Sequence, residues 1–286
     1  MPPSPAQNSL RILSVCLFIV VMSISAIRVR ADDAEKHRVN LDQLASALAG
    51  AMRTASVKSV AVADFLGTDG QNSELTWYLS GKLSDAIRKN ISESGGPRFV
   101  SRAALTDPKV TAEELNSPEA LARVGSVWGV AAIVTATVEF SADKYILKAT
   151  VRKVSDGSIV IAANQEIPHL RFLDLLTPQG VGDESAHVKT IGVDGVVPPL
   201  CEYCPIPGYS EDARAAKIQT ARLVLTVTVS TKGEPIKVVL TKDPGFGLGE
   251  VAIEGVSEWR FKPAMQHGNP VTVAVPVEVS FNIART

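Results

Sequence analysis

The stretch RLVLTVTVSTKGEPIKVVL, residues 222–240, determines the fold of the carboxy-terminal part of the chain. Apolar residues alternate with other residues on both sides of a turn at Lys232-Gly233. This two-residue period predicts two antiparallel strands, each with one buried face. The residues predicted to face the core are Leu223, Leu225, Val227, Val229, Ile236, Val238 and Leu240.

Two further elements follow this hairpin. LGEVAIEGVSEW, residues 248–259, carries Leu248, Ala252, Val256 and Trp259 at helical spacing. VTVAVPVEVSF, residues 271–281, alternates again. One apolar helix face and three apolar strand faces bury each other in two layers. The sequence therefore predicts a three-stranded antiparallel sheet packed on one helix.

The upstream residues 40–167 show a different order of elements. Helical and strand-like segments alternate up to Gly129, and three strands with a turn at Asp156-Gly157 then form a predicted meander. Residues 168–198 have no periodicity and are rich in Pro, Gly and Asp, which is typical of a linker. We therefore predict the α+β class with two domains: an α/β sandwich-like domain at 40–167 and the sheet-and-helix domain at 199–286.

The amino-terminal residues 1–31 read as a targeting segment. ILSVCLFIVVMSISAI, residues 12–27, is apolar or small throughout. Its length lies between the apolar core of a signal peptide and a membrane span of about 20 residues. Cleavage after Ala31 and retention as a single-pass inner-membrane anchor both stay open, and both place the rest of the chain outside the cytoplasm.

Charge and histidine placement argue against several classes of function. The chain has 29 Lys and Arg against 30 Asp and Glu, without a long basic block, so we expect no nucleic-acid partner. The four histidines are scattered, without the spacing of a metalloprotease. No catalytic constellation is legible, and we expect a non-enzymatic protein without metal or cofactor.

Cys201 and Cys204 allow three interpretations. A redox pair places its first cysteine at a helix N-terminus, whereas Pro205 and Pro207 delay the predicted helix to about Ser210. A zinc site needs two further ligands. We predict a structural disulfide at the entrance of the second domain, because cysteines oxidise outside the cytoplasm. A thiol-disulfide enzyme and a metal site stay open as alternatives.

Residues 199–283 resemble the TonB carboxy-terminal domain family. The resemblance rests on PIPGYSEDARAAKIQ at 205–219, on the 222–240 hairpin and on EWRFKPA at 258–264. The matching hallmark positions are Tyr209, Arg214, Gly233, Trp259, Arg260, Phe261 and Pro263. VAVADF, residues 60–65, followed by a helix, is similar to the opening of the periplasmic CsgG, FlgO and TolB amino-terminal group.

The TonB resemblance implies a periplasmic domain that binds an extended peptide by strand addition to a sheet edge. The matching strand contains the expected binding residues Val271, Val273, Val275, Val277 and Val279. Pro276 suits an edge because proline has no N–H for a central ladder, and it equally suits protection of an edge from aggregation. The expected structural positions include Trp259 and Phe261, which we place in the core.

The implied partner is a peptide of an outer-membrane transporter or of another envelope protein. Our first hypothesis is a periplasmic binding or adaptor protein. The alternative is an inner-membrane energy transducer that works with proton-driven motor proteins, although Ser14 is followed by Phe18 where such anchors carry His. Homodimerisation stays open.

Overall fold

The computed structural model describes residues 39–100, 115, 117–141 and 143–282. Its helices are α1 (Asp42–Thr54), α2 (Glu74–Ser94), α3 (Pro118–Trp128), α4 (Arg171–Asp174), α5 (Glu211–Ala215) and α6 (Leu248–Ser257), with a 3₁₀ helix at Asp183–Ala186. None of these helices is both long and apolar enough to cross a membrane. The predicted targeting segment at 1–31 lies outside the described residues.

The strands form a larger mixed sheet and three smaller antiparallel ones. The larger sheet contains β1 (Ser59–Val62), β2 (Leu66–Gly67), β3 (Arg98–Val100), β4 (Ala132–Ser141), β5 (Lys144–Lys153) and β6 (Ile159–Pro168). The smaller sheets contain β7 (Val196–Val197), β8 (Leu200–Tyr203), β9 (Thr220–Val229), β10 (Pro235–Lys242), β11 (Arg260–Lys262), β12 (Ala264–Gln266), β13 (Asn269–Val271) and β14 (Val273–Asn282). The mixed α+β class predicted from the sequence is confirmed.

The larger sheet has the order β3-β1-β4-β5-β6, and β2 also pairs with β4. The pairs that involve β1 are parallel, and β4, β5 and β6 form the predicted antiparallel meander. Parallel strands need a long crossover, and α2 and α3 supply segments of these crossovers. The proposed kinship of residues 40–167 with the CsgG, FlgO and TolB group stays a prediction.

Helix α2 begins at Ser73, whose hydroxyl accepts from the backbone N–H of Thr76 in a reciprocal capping box. Helix α3 begins at Ser117 as predicted, but it passes the predicted stop at Gly125. Gly125 lies inside the helix and does not end it. Glycine suits this position because a Cβ there would lie 2.1 Å from Val154 Cγ1. The helix ends at Gly129, which has the left-handed φ of 62° that glycine adopts without strain.

The residues predicted as a linker, 168–198, are packed rather than extended. They contain α4, the 3₁₀ helix and β7, and Leu173, Leu175 and Leu176 are buried. The Leu176 carbonyl accepts from Leu75 N–H of α2 at 3.0 Å, and the Leu175 carbonyl accepts from Val238 N–H of β10 at 2.9 Å. Burial of the three leucine side chains stabilises the packing of this segment. Its backbone hydrogen-bonds to α2 on one side and to β10 on the other.

The sheet predicted for the carboxy-terminal part has the order β10-β9-β14. Its inward residues Leu223, Leu225, Val227 and Val229 are fully buried, as are Ala252 and Val256 of α6. Leu240 is only half-buried, since β10 has an irregular register between Leu240 and Lys242. The predicted three-stranded sheet backed by one helix is confirmed. The short pairs β11-β8 and β13-β12-β7 flank it.

Candidate functional site: the free edge of the carboxy-terminal sheet

Strand β14 is the last strand of its sheet. It pairs with β9 along its whole length, from Val273 opposite Val229 to Asn282 opposite Thr220. On its other side, the described residues supply only one isolated parallel bridge, between Lys189 and Val273. The free edge, which we define as the outward backbone of residues 276–280, lies beyond this bridge.

The bridge at Lys189 identifies which backbone groups point outward. Lys189 N–H donates to the Thr272 carbonyl at 2.8 Å, on the side of β14 away from β9. Successive residues of a strand direct their N–H and C=O groups to opposite edges. Even-numbered residues therefore face the free edge, and odd-numbered residues form the ladder with β9. The outward N–H groups of the free edge belong to Glu278 and Ser280.

Pro276 stands opposite Thr226 at a position whose backbone faces the free edge. Its missing N–H therefore costs no bond to β9. At Pro276 the free edge offers a carbonyl acceptor but no N–H donor. An added strand therefore makes one hydrogen bond fewer here than it would if position 276 were any residue other than proline.

The five valines expected to bind a peptide lie on the inward side or outside β14. Val273 and Val279 are buried, and Val275 and Val277 are half-buried. Val271 belongs to β13, opposite Ala264 of β12, because the chain leaves the ladder at Thr272. The side chains of these valines pack towards the core, and the groups that a guest strand can pair with belong to their neighbours. The sequence signal for this arrangement is Pro276. A proline without an N–H suits an outward-facing backbone position, so residues an even number of positions from Pro276 also face outward, and the odd-numbered valines of β14 pair with β9.

The hallmark aromatic residues lie inside the domain. Trp259 is buried, and its Nε1–H donates to the Pro205 carbonyl at 2.9 Å. Phe261 is buried beside it, with ring centroids 6.1 Å apart. Tyr209 packs edge-on against Phe281 of β14 and donates its hydroxyl to the Ile218 carbonyl. These contacts join α6, β14 and the entrance segment.

The other hallmark positions are more exposed or belong to the backbone. Arg214 of α5 is exposed and Pro263 is half-buried. The Arg260 guanidinium donates to the Trp259 carbonyl at 2.7 Å. Gly233 has a φ of 77°, and its carbonyl accepts from Phe261 N–H at 2.8 Å. The hairpin turn is thereby attached to the strand that follows α6.

Comparison with known proteins gives one family for this part of the chain. The model described as the carboxy-terminal domain of the Gram-negative bacterial TonB protein matches residues 205–283. This match covers less than a third of the chain. We call residues 205–283 the TonB-like domain below. No curated protein matches the chain.

Solved structures with local likeness include three bacterial proteins. The Pseudomonas aeruginosa TonB carboxy-terminal domain is 20% identical, covers 34% of this chain and 95% of its own, and has a TM-score of 0.26. The Escherichia coli LpoB carboxy-terminal domain has 12% identity, coverages of 43% and 95%, and a TM-score of 0.32. Neisseria meningitidis lipoprotein GNA1162 has 18% identity, coverages of 39% and 81%, and a TM-score of 0.31. TM-scores this low carry no inference.

A cavity of about 740 Å³ lies at the far end of the free edge of the TonB-like domain. Its walls come from residues 206–209, from the start of β9 at 220–222 and from the end of β14 at 280–282. Ile206 is 73% exposed, whereas Tyr209 and Phe281, which also line the cavity, are buried. The cavity offers an apolar surface next to the last outward backbone groups of β14.

The near end of the free edge is closed by a polar anchor that the sequence did not indicate. The Glu184 carboxylate accepts from Thr231 N–H at 2.9 Å and from the Thr272 hydroxyl at 2.9 Å. The Thr231 hydrogen bond is the main cause that lowers the pKa of Glu184 below its usual value. This anchor fixes the segment before Lys189 against the start of β14, so the free edge begins beyond the bridge at Val273.

Cys201 and Cys204 form a disulfide with Cα atoms 6.1 Å apart. Cys201 is in β8, which pairs with β11, and α5 begins only at Glu211. The first cysteine therefore lacks the helix N-terminus that lowers a thiol pKa in thioredoxin-like pairs. Within the described part of the chain, no group of His, Cys, Asp and Glu has the arrangement of a metal site.

Proposed function

We propose that this chain is a non-enzymatic periplasmic binding or adaptor protein that adds an extended guest peptide to the free edge of β14. The proposal rests on one observation: the outward backbone groups of residues 276–280 have no strand partner among the described residues. An open edge of this kind pairs readily with another extended chain. The family match of residues 205–283 supports an envelope-associated binding role.

The position of the open groups favours a short guest. Lys189 occupies the near end of the edge, and Pro276 offers an acceptor without a donor. Main-chain hydrogen bonds of the guest then concentrate at Glu278 and Ser280. In strand addition, pockets for alternate side chains provide specificity. The cavity beside Ile206 and Phe281 suits an apolar side chain of the guest. We propose an outer-membrane transporter or another envelope protein as the source of the guest.

Amide chemical shifts of the full-length protein, titrated with extended transporter-derived peptides, test this proposal. We expect shifts at the amides of Glu278 and Ser280. Ser280→Pro removes an outward N–H and leaves the β9 ladder intact, so peptide affinity should fall about tenfold or more. Ser280→Ala keeps the N–H and is the matched control. Equal peptide affinity of Ser280→Pro and Ser280→Ala, with both folded, would refute strand addition at this edge.

A further inference from the structure

A second cavity, of about 530 Å³, lies in the amino-terminal part of the chain. It lies between the loop before α2, the turn end of the β4-β5 hairpin and the segment after α4. Its volume is within the range of small-ligand pockets, about 300–1,000 Å³. None of its lining residues belongs to β14. Its function is therefore independent of strand addition.

One wall of this cavity is aromatic. Phe140 stands opposite Tyr145 in the β4-β5 ladder, with ring centroids 5.0 Å apart. The His169 ring stacks on Tyr145 at 6.2 Å, with an angle of 10° between the planes. Phe140 is 57% exposed, although a phenyl ring on a strand usually buries its surface. The wall therefore presents a flat apolar surface to the cavity.

The half-buried carboxylate of Asp174 contacts two rings of this aromatic wall. The Tyr145 hydroxyl donates to Asp174 Oδ1 at 2.6 Å, and His169 Nε2 lies 2.9 Å from the same oxygen. Burial is the largest cause that raises the pKa of Tyr145, so this hydroxyl keeps its proton. Asp174 is thereby engaged by two neighbours. These two contacts position the Tyr145 and His169 rings, and pre-positioned groups lose less entropy on binding.

The lining of the cavity also contains side-chain amides. Gln71 and Asn72 belong to the loop before α2, and Gln179 belongs to the segment after α4. None of the three amides hydrogen-bonds to another side chain or to the backbone among the described residues. An amide offers two donors and one acceptor oxygen, so it can pair with a hydroxyl in either role.

The charges of the lining disfavour ionic ligands. It contains the carboxylates Asp69 and Asp174 and no Lys or Arg among the described residues, so anions are repelled. Asp174 is already paired, and the start of α2 adds partial positive charge that disfavours a cation. A neutral ligand with hydroxyl groups and an apolar face fits these conditions best.

We propose that this cavity binds a neutral saccharide. The C–H face of a sugar ring stacks on Phe140, as apolar surfaces do on aromatic rings, and the sugar hydroxyls pair with Gln71, Asn72 and Gln179. Hydroxyl and amide groups exchange their bonds to water for bonds to each other, and the stacked face supplies the hydrophobic part of the affinity.

Titration of the full-length protein with maltotriose, cellotriose and chitotriose tests the proposal by calorimetry and amide chemical shifts. We expect at least one trisaccharide to bind in the millimolar range or tighter and to shift the amides of Gln71, Asn72 and Phe140. Phe140→Ala should weaken binding about tenfold, which is about 1.4 kcal/mol. Asn72→Ala should weaken it several-fold without touching the aromatic wall. Phe246→Ala, which removes a 46% exposed ring outside the cavity, is the matched control and should bind as the wild type does.

Three results would overturn the saccharide proposal. The first is that no trisaccharide shifts these amides at millimolar concentration. The second is that benzyltrimethylammonium shifts them and no trisaccharide does, which would indicate a cation site. The third is that Phe140→Ala and Phe246→Ala bind the trisaccharide equally well. Loss of peptide binding at β14 affects none of these results.

Discussion

Gly233 shows at the residue scale why the turn of the β9-β10 hairpin carries glycine. Its φ of 77° is a left-handed conformation, and a Cβ at this position would lie 1.8 Å from the Phe261 carbonyl oxygen. Its own carbonyl accepts from Phe261 N–H. The turn and the strand after α6 approach so closely that only a residue without a side chain fits.

Gly233→Ala should therefore destabilise the TonB-like domain by more than the cost of its φ alone. A left-handed non-glycine residue costs about 1–2 kcal/mol, and displacement of the Phe261 hydrogen bond adds about 1 kcal/mol. Gly268→Ala is the matched control, because Gly268 has a φ of 83° and nothing within 4 Å of the added Cβ. Urea unfolding of both variants measures the difference. Equal losses in the two variants would contradict a role for the Phe261 contact.

The sequence predicted the turn at Gly233 but not its contact with Phe261. Alternation on both sides of Lys232-Gly233 is a local pattern, and local patterns indicate turns. The approach of Phe261 depends on how α6 packs on β9 and β10, which no spacing records. The sequence also predicts that Trp259 and Phe261 lie in the core, because they are large aromatic residues. It does not indicate that Trp259 Nε1–H donates to the Pro205 carbonyl, since this contact likewise depends on tertiary packing.

Strand β14 shows at the element scale how an edge can be partly open. Its alternation predicted a strand with one buried face, and this prediction is confirmed by the buried Val273, Val279 and Phe281. The break at Thr272 and the bridge at Lys189 were not predictable, since both depend on Glu184 contacts made from a segment without periodicity. The candidate site is therefore shorter than the sequence suggested.

An edge proline can mark a strand that binds a guest peptide, or it can protect the edge from aggregation. Pro276→Ala separates these two functions. The substitution adds an outward N–H, which can contribute about 0.5–1.5 kcal/mol to guest pairing. We expect peptide affinity to rise about two- to tenfold in a fluorescence titration. Pro270→Ala in β13 is the control and should leave affinity unchanged. Increased self-association of Pro276→Ala without tighter peptide binding would show that the proline only protects the edge.

At the scale of the whole molecule, α2 joins the larger sheet to the TonB-like domain through polar contacts. Tyr78 Oη and Lys82 Nζ each lie 2.7 Å from Glu254 Oε1 of α6, and Glu74 accepts from Leu240 N–H of β10 at 3.2 Å. The sequence predicted two domains because each part has its own apolar period. It did not indicate this interface, since charged and polar contacts leave no periodic signature. The division of the chain at residue 199 stays a prediction.

Glu250 of α6 lies in this interface, where glycine on α2 makes room for its carboxyl. It is 7% exposed, and a Cβ at Gly81 would lie 2.2 Å from Glu250 Oε1. The pKa of Glu250 is raised from its usual 4.5 to about 7, mainly by burial. Asp85 and Asp243 also act to raise it, and a hydrogen bond to its own backbone and the charge of Lys82 act to lower it. The folded protein therefore keeps a proton at Glu250 that the unfolded chain has already released over this pH range.

Because the native pKa of Glu250 is raised, its contribution to stability is complete below about pH 4.5 and is lost as the pH rises through about 7. The shift corresponds to up to about 3 kcal/mol at 1.36 kcal/mol per pKa unit. Glu250→Gln keeps the shape and cannot ionise, so its unfolding free energy relative to the wild type should rise by up to this amount between about pH 5 and pH 8. Urea unfolding across this range measures it, and Glu258→Gln, at an exposed position just after α6, is the control. A difference between Glu250→Gln and the wild type that stays constant with pH would show that Glu250 is ionised in the folded protein throughout.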